Sequence, residues 1–208
     1  MKLSGIQNLS KLAVVFTLLI CSGQIQADGI DAKEFALASN CPPSFEKMPN
    51  NTCELRTVYQ FYDSLGGHGI GGLQTSLPTE RDGFSPEQID LGRYLFFDPL
   101  LSGDGTLSCA SCHQPDKGFA DGQALSVGIN GALAARSAPT LWNVAFLKSF
   151  FWDARASTLE EQVVGPLYSP IEMGNNPVKL LSDLNSNELY TQLFNGAFPN
   201  SSEAITLE

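Results

Sequence analysis

The chain has few basic residues, few histidines and no long apolar run. Its 208 residues include 12 lysines and arginines against 22 aspartates and glutamates, so the formal net charge is −10. An acidic surface repels polyanions and anionic lipid, which argues against nucleic-acid binding and suits a cationic protein partner. Acidity that only keeps the protein soluble is an equal alternative. An apolar run at residues 12–21 is too short to span a bilayer.

The first 27 residues have the three parts of a secretory signal peptide. Lys2 and Lys11 precede the apolar run, and a polar stretch after it ends at the small residue Ala27. Acylation of Cys21 is the weaker alternative, because a bulky residue precedes it. We therefore predict cleavage after Ala27, a periplasmic location and no membrane span in the mature chain. The formal charge becomes −12, since both lysines leave with the signal peptide.

Residues 28–80 are predicted to form an irregular N-terminal arm. Cys41 and Cys53 lie 12 positions apart in a stretch rich in proline and asparagine. In an oxidising compartment this pair predicts a disulfide. Residues 53–64 have helical spacing, and the glycine-rich stretch at 66–72 should end that helix.

A compact domain is predicted over residues 81–208, beginning with a helix. Ser85 and Gln88 form a capping-box pattern, with Pro86 at the first helical position. This helix should end at Phe97, before Asp98-Pro99. Its predicted inward-facing residues are Ile89, Leu95 and Phe96.

Two further helical segments are predicted near the C-terminus. A capping box at residues 158–161 should open a short helix that Gly165-Pro166 closes. Asn176-Pro177 opens the next helix, which should break at residues 185–187 and end at Gly196. Residues 114–138 have no clear period and predict ordered loops, whereas the apolar segment 139–151 is expected to be buried. No alternating strand pattern is present, so the predicted class is all-α with long loops.

The sequence Cys109-Ala110-Ser111-Cys112-His113 admits three interpretations. A thioredoxin-like redox pair belongs in a strand–helix unit, and strands are not predicted. A zinc site needs four ligands, and the remaining candidates, which include His68, are poorly spaced. C-x-x-C-H is also the attachment motif of c-type haem. The two thiols add across the haem vinyl groups, and the adjacent imidazole becomes the axial ligand of the iron. We favour haem, because the predicted export supports it independently.

The second axial position of the iron decides the function. A strong sixth ligand gives an electron carrier, whereas an open position permits peroxide or oxygen chemistry. His68 lies in a glycine-rich loop and is expected to be exposed. Met173 follows His113 by 60 residues, a spacing that suits the axial methionine of a small cytochrome c. A monohaem electron carrier with Met173 or His68 as sixth ligand is therefore retained as an alternative.

Four stretches resemble the bacterial di-haem cytochrome c peroxidases and their MauG-type relatives, within residues 82–199. They read LGRYLFFDPLLSGDGTLSCASCH, RSAPTLWNVAF, FFWDARASTLEEQVVGPL and SPIEMGN. The similarity is to the N-terminal, peroxide-reducing haem domain of this family. It implies a cytochrome c-like helical fold around a haem c, with a second haem on a C-terminal domain. Because only one C-x-x-C-H is present, we expect the chain to be partial.

The resemblance also implies roles for individual residues. His113 matches the proximal ligand of the peroxidatic haem, and Trp152 matches a tryptophan between the two haems that helps electrons cross. Gln162 and Pro166 match distal-pocket residues, and Glu172 matches the distal acid–base. Without the resemblance, Trp152 would be interpreted as a packing residue and Gln162 as a helix-surface residue.

General chemistry supports a role for Glu172. Splitting peroxide heterolytically requires that a proton leave one oxygen and reach the other, and a carboxylate near an open iron can do both. Gln162 can orient the peroxide by hydrogen bonding. The alternative for Glu172 is a loop carboxylate that caps the helix near Asn176.

Two positions depart from the family pattern. Typical members have a histidine in SVGHG, 16 residues after the haem histidine, that blocks the iron until activation; here Ile129 stands at that spacing. Isoleucine cannot ligate, so we expect an open pocket, as in the MauG-type branch. In the family's RNSP stretch an asparagine binds calcium. Here Ser137 replaces it, which makes calcium doubtful.

These features together predict a periplasmic peroxidase. It would reduce hydrogen peroxide with electrons from a small cytochrome or copper protein. MauG-like oxidation of residues on a partner protein is the second hypothesis, and a homodimer is retained as one form of assembly.

Overall fold

The structure is a computed structural model that describes residues 35–55, 83–203 and 205–206. Within these residues the chain is mostly helical, with one small sheet. The helices are α1 (Pro86–Phe97), α2 (Cys109–Cys112), α3 (Leu159–Tyr168), α4 (Pro177–Ser186) and α5 (Glu188–Ala197), and the strands are β1 (Phe45–Lys47) and β2 (Cys53–Leu55). Short 3-10 turns lie at Pro99–Leu101, Pro115–Lys117, Ile129–Gly131 and Val144–Phe146. The predicted signal peptide lies outside the described residues. No helix in the described part of the chain is long and apolar enough to cross a membrane.

The small sheet contradicts the expectation that strands are absent. β1 and β2 are antiparallel, with Lys47 opposite Cys53, and Cys53 is bonded to Cys41 in a disulfide. Strands of three residues are too short to show alternation in the sequence. The helix predicted from Cys53 is therefore wrong at its start, and residues 56–64 lie outside the described part.

The segment 35–55 packs against α1. The amide of Ala38 donates to the Asp90 carboxylate at 2.9 Å, and the rings of Phe35 and Tyr94 lie 6.1 Å apart. The Cys53 amide donates to the carbonyl of Phe84 at 2.9 Å. Asp90 is buried but also pairs with a neighbouring arginine on α1, so its charge is satisfied.

The predicted boundaries of α1 are confirmed. The Ser85 hydroxyl accepts from the Gln88 amide, and the Gln88 side chain accepts from the Ser85 amide, which completes the capping box. The helix ends at Phe97, and Asp98 then accepts from the Leu100 amide to start the next turn. Its buried apolar residues are Pro86 and Leu91, neither of which the sequence analysis selected as inward-facing, while the residues predicted to face inward are half-buried: Ile89, Leu95 and Phe96.

The core lies where α1, α4 and α5 meet. Its fully buried members are Leu91, Leu180, Leu184, Tyr190, Leu193 and Ala197. α4 and α5 are separate helices, as predicted, and Asn187 both ends α4 and caps α5. The Tyr190 hydroxyl donates to Asp98 at 2.5 Å, and burial together with that carboxylate raises the pKa of Tyr190. This bond ties α5 to the end of α1.

Helix α3 does not close at Gly165-Pro166 as predicted. It continues to Tyr168 with Pro166 inside it. Proline has no N–H to donate to the carbonyl of Gln162, but the bond that ends the helix, from the Ser169 amide to the carbonyl of Gly165, is made at 3.0 Å. The predicted capping box is also altered: Thr158 caps the helix, but Glu161 accepts from the amide of Ser157 rather than that of Thr158.

The segment 139–151 is largely exposed, contrary to prediction. Trp142 is 64% exposed and Leu147 57%, whereas Phe150 is buried. The segment folds as successive turns, with a 3-10 turn at Val144–Phe146 after a left-handed Asn143. A chain of turns contacts its neighbours along one side only, so apolar composition alone overestimates its burial.

We predict that Leu180→Ala destabilises the domain by about 2–5 kcal/mol, because it leaves a cavity in the core between α1, α4 and α5. Val178→Ala on the same helix is the matched control. Val178 is 79% exposed, so its truncation should change the free energy of unfolding by less than about 0.5 kcal/mol. Equal effects of the two substitutions in urea titrations would contradict this core assignment.

Candidate active site

Helix α2 presents the two free cysteines of the motif. Ser108 and Ser111 form a capping box that starts this single turn of helix. Cys109 and Cys112 are partly exposed and not bonded to each other. Burial raises the pKa of both thiols, and nearby Asp121 and Glu172 raise that of Cys112 further. Both sulfurs are therefore protonated thiols at neutral pH.

The imidazole of His113 is held in one orientation. Its Nδ1 atom lies 3.0 Å from the carbonyl oxygen of Phe119. Because a carbonyl can only accept, this contact places the proton on Nδ1 and leaves the lone pair of Nε2 for a metal. A histidine that binds a metal through one ring nitrogen usually donates the N–H of its other ring nitrogen to a carbonyl or carboxylate, as His113 does here.

The loop that supplies this carbonyl closes on itself. The amide of Phe119 donates to Gln114 at 2.8 Å, and the amide of Gln114 donates to Ala120 at 3.1 Å. Gly118 and Phe119 both have positive φ, at 68° and 57°. Glycine adopts this conformation readily, but a bulky residue such as phenylalanine does so only when its surroundings hold it there.

Ser126 links this loop to the next one. It is buried beside the Asp121 carboxylate and the Cys112 thiol and acts to lower the pKa of both, and its hydroxyl accepts from the amide of Ala138 at 3.0 Å. Asp121 also accepts from the amide of Gln123 at 2.9 Å, which stabilises its ionised form. The cysteine motif is thus joined to segment 126–138 through side chains.

The turn that carries Glu172 lies against the same segment. The amide of Ile129 donates to the carbonyl of Glu172 at 2.9 Å. A Cβ atom at Gly128 would collide with the carbonyl oxygen of Ile171, so only glycine allows this approach. Gly103 makes a similar close contact with the carbonyl of Gly174.

Burial raises the pKa of Glu172, and the positive charge of Arg155 partly opposes this shift. The guanidinium of Arg155 lies 3.4 Å from the ring centre of Phe151 and also pairs with Asp153 at 2.7 Å. Glu172 is half-buried. Its proton therefore leaves at a higher pH than that of an ordinary glutamate, which brings the group closer to the working range of a general base.

Ile129 is buried at the place where the family pattern has a histidine. Its side chain packs against Gly174, so closely that a Cβ there would collide with the isoleucine methyl. Met173, the predicted alternative ligand, is also buried; its amide donates to Pro166 at 3.1 Å and its carbonyl accepts from Gly103 at 2.7 Å.

The structure connects the helix that carries two predicted site residues to the Glu172 turn. Gln162 and Pro166 are four positions apart on α3 and share a face, and the carbonyl of Pro166 accepts from the amide that follows Glu172. Trp152 is 67% exposed, and its indole N–H donates to the carbonyl of Ser137, in segment 126–138, at 3.3 Å.

Several contributing residues were not selected from the sequence. Phe119 acts through its backbone carbonyl, which no sequence pattern reveals. Ser126 and Asp121 lie beside the Cys112 thiol and affect its pKa, and their only sequence signal is proximity to the motif. Arg155 stands inside one of the four resembling stretches but was not given a role.

The residues present fit a c-type haem. Two protonated thiols stand on one helical turn, and His113 directs Nδ1 to a carbonyl, which leaves Nε2 as the nitrogen for the iron. Exposed apolar side chains are available for a porphyrin face, among them Leu125, Val127, Leu133, Val163, Val164 and Ile171. In the described part of the chain no group of three or more histidine, cysteine or acidic side chains could hold a metal ion on its own.

The chain belongs to the di-haem cytochrome c peroxidase family, whose model matches residues 86–208. Membership in this family implies a c-type haem. The chain is 42% identical over 116 residues to the methylamine utilization protein MauG of Methylophilus methylotrophus, a match that covers 56% of this chain and 35% of that protein. It is 38% identical over 124 residues to the cytochrome c551 peroxidase of Pseudomonas aeruginosa, covering 60% and 36%. The chain thus spans about a third of the length of these relatives.

Solved structures show the same relationship. A MauG-like protein associated with microbial copper homeostasis superposes with a TM-score of 0.59 and 35% identity, covering 67% of this chain and 43% of that one. The diheme peroxidase BthA from Burkholderia thailandensis gives a TM-score of 0.51 and 33% identity, covering 56% and 33%.

We predict that Gly128→Ala destabilises the domain by about 1–3 kcal/mol and displaces the Glu172 turn, because the new methyl group collides with backbone. Gly92→Ala is the control: Gly92 lies in α1 with open space around it, so alanine should stabilise the helix by about 0.5–1 kcal/mol. Thermal unfolding of both variants measures the difference. A Gly128→Ala protein as stable as the native one would contradict the close approach.

Proposed function

We propose that this chain is the peroxide-reducing haem domain of a periplasmic c-type cytochrome c peroxidase, with a cytochrome c-like fold. The main support is that segment 126–138 contacts both the cysteine motif and the turn carrying Glu172. This arrangement supports a shared site for the His113 imidazole, as the metal ligand, and the partly buried carboxylate of Glu172. The relatives named cytochrome c peroxidase support the same reaction class.

A haem attached to Cys109 and Cys112 would supply the redox chemistry for peroxide reduction. His113 would hold it through Nε2, while the carbonyl of Phe119 keeps the imidazole in its tautomer. Glu172 in its ionised form takes a proton from one peroxide oxygen and returns it to the leaving oxygen. Gln162 hydrogen-bonds the peroxide, and Pro166 helps to shape the pocket.

The reaction consumes two electrons and two protons for each peroxide, and two water molecules form. The electrons come from a small redox protein, a cytochrome or a copper protein, and the second haem of the di-haem family is their point of entry. Trp152 lies on that route in our proposal, and its exposed side chain is available to a partner surface. Ile129 cannot ligate iron, so the peroxide position needs no reductive activation.

Oxidation of residues on a partner protein is the second candidate function. It is favoured by the 42% identity with MauG and by isoleucine at the position of the blocking histidine. The two candidates differ in the electron donor: a redox protein in one, and side chains of a partner in the other. If Met173 proves to be the sixth ligand of the iron, the protein is an electron carrier, and this function replaces both candidates.

We predict that Glu172→Gln lowers peroxide turnover on the order of a hundredfold or more, because the amide cannot accept the proton. In the native protein, turnover should fall as pH decreases through the raised pKa of Glu172, since only the ionised form acts as base. The variant should lose this acidic limb of the pH profile. Stopped-flow mixing with hydrogen peroxide measures both. Unchanged turnover would remove Glu172 from the mechanism.

The same substitution has a predicted effect on stability that is independent of activity. Burial disfavours ionised Glu172 in the folded state, which lowers the stability of the fold at neutral pH. This destabilisation is absent below the ordinary carboxyl pKa of 4.5, because Glu172 is then protonated in both the folded and the unfolded state. Glu172→Gln should therefore raise the melting temperature at neutral pH and leave it unchanged in acid. Glu46→Gln on the exposed face of β1 is the control, with no change at either pH.

A further inference from the structure

The hydroxyl of Thr140 bridges two backbone segments beside His113. It donates to the carbonyl of Gly118 at 2.5 Å and accepts from the amide of Trp142 at 3.2 Å. Segment 140–142 is thereby fastened to the residue that directly precedes Phe119. The contact joins parts of the chain 22 residues apart, so it is a tertiary contact rather than part of a local turn.

The ring of Trp142 covers the same turn. It meets the ring of Phe119 edge to face, with centroids 5.5 Å apart and planes at 83°. Its Nε1 atom lies 3.6 Å from the place where a Cβ of Gly118 would stand. The remaining surface of the indole is exposed, so these contacts are what orient it.

The turn needs this support because its backbone conformation is energetically unfavourable. Gly118 and Phe119 are consecutive left-handed residues, and phenylalanine rarely adopts that conformation. Hydrogen bonds to Gln114 and Pro115 hold the turn from its own loop. Thr140 and Trp142 hold it from outside that loop, and the carbonyl of Phe119 then stands 3.0 Å from Nδ1 of His113.

We propose that Thr140 and Trp142 are positioning residues for the haem ligand His113: they brace the Gly118-Phe119 turn and so fix the carbonyl that accepts from Nδ1. A strong bond at Nδ1 makes Nε2 a better electron donor, which strengthens the iron–histidine bond and lowers the reduction potential. The inference rests on the proposed function, because His113 has this role only when haem is attached.

The test uses the full chain with covalently attached haem and the variant Thr140→Val, which keeps the shape and removes the hydroxyl. The iron–histidine stretching frequency of the ferrous protein, measured by resonance Raman, should shift to a lower value. The midpoint potential should shift upward. Thr140→Ser should restore both. Thr191→Val is the matched control. Thr191 lies on α5, away from the site, and its hydroxyl donates a hydrogen bond to the carbonyl of Asn187.

A second variant covers the case in which Thr140→Val fails to fold or to retain haem. Trp142→Ala keeps the hydroxyl and removes the ring, and it should shift frequency and potential in the same directions. If the variants that carry haem keep the native iron–histidine stretching frequency and the native midpoint potential, the inference is overturned and the proposed function stays intact. A native chain that attaches no haem at Cys109 and Cys112 would overturn both.

Discussion

The site depends on backbone-to-backbone contact between three loops that only glycine permits. Gly103 touches Gly174, and Gly128 touches the carbonyl of Ile171, so the turn carrying Glu172 is enclosed from two sides. Hydrogen bonds from Gly103 to Met173 and from Ile129 to Glu172 complete the enclosure. Loops without regular structure can position a catalytic group only if their backbone is fixed in this way.

The two sides of the site are fixed by different means. The Glu172 turn is held by close backbone packing, whereas His113 is oriented by one hydrogen bond to a residue in a strained conformation. Segment 126–138 connects them, since Ser126 lies beside Cys112 and the amide of Ile129 donates to the carbonyl of Glu172. Movement of this segment would disturb both sides together, which is why we regard it as the organising element of the domain.

Elements with local determinants could be predicted from the sequence. The capping box at Ser85 gave the start of α1, and Asn176-Pro177 gave that of α4. Predictions failed where tertiary context decides: Pro166 lies inside α3 because neighbouring bonds compensate for the missing N–H, and segment 139–151 is exposed although it is apolar. The short sheet was missed because three residues show no periodicity. In the site, motif residues were predictable by chemical type, but the carbonyl of Phe119 was not, because a backbone acceptor leaves no trace in side-chain chemistry.

The proposed peroxidase function requires that Ile129 leave the iron without a side-chain ligand at the position where peroxide binds. Electron paramagnetic resonance of the ferric protein with attached haem distinguishes an open position from a ligated one. We expect a high-spin signal that converts to low-spin when cyanide is added. A low-spin signal at rest that does not respond to cyanide would show that a protein side chain occupies this position, and the proposed function would then be wrong.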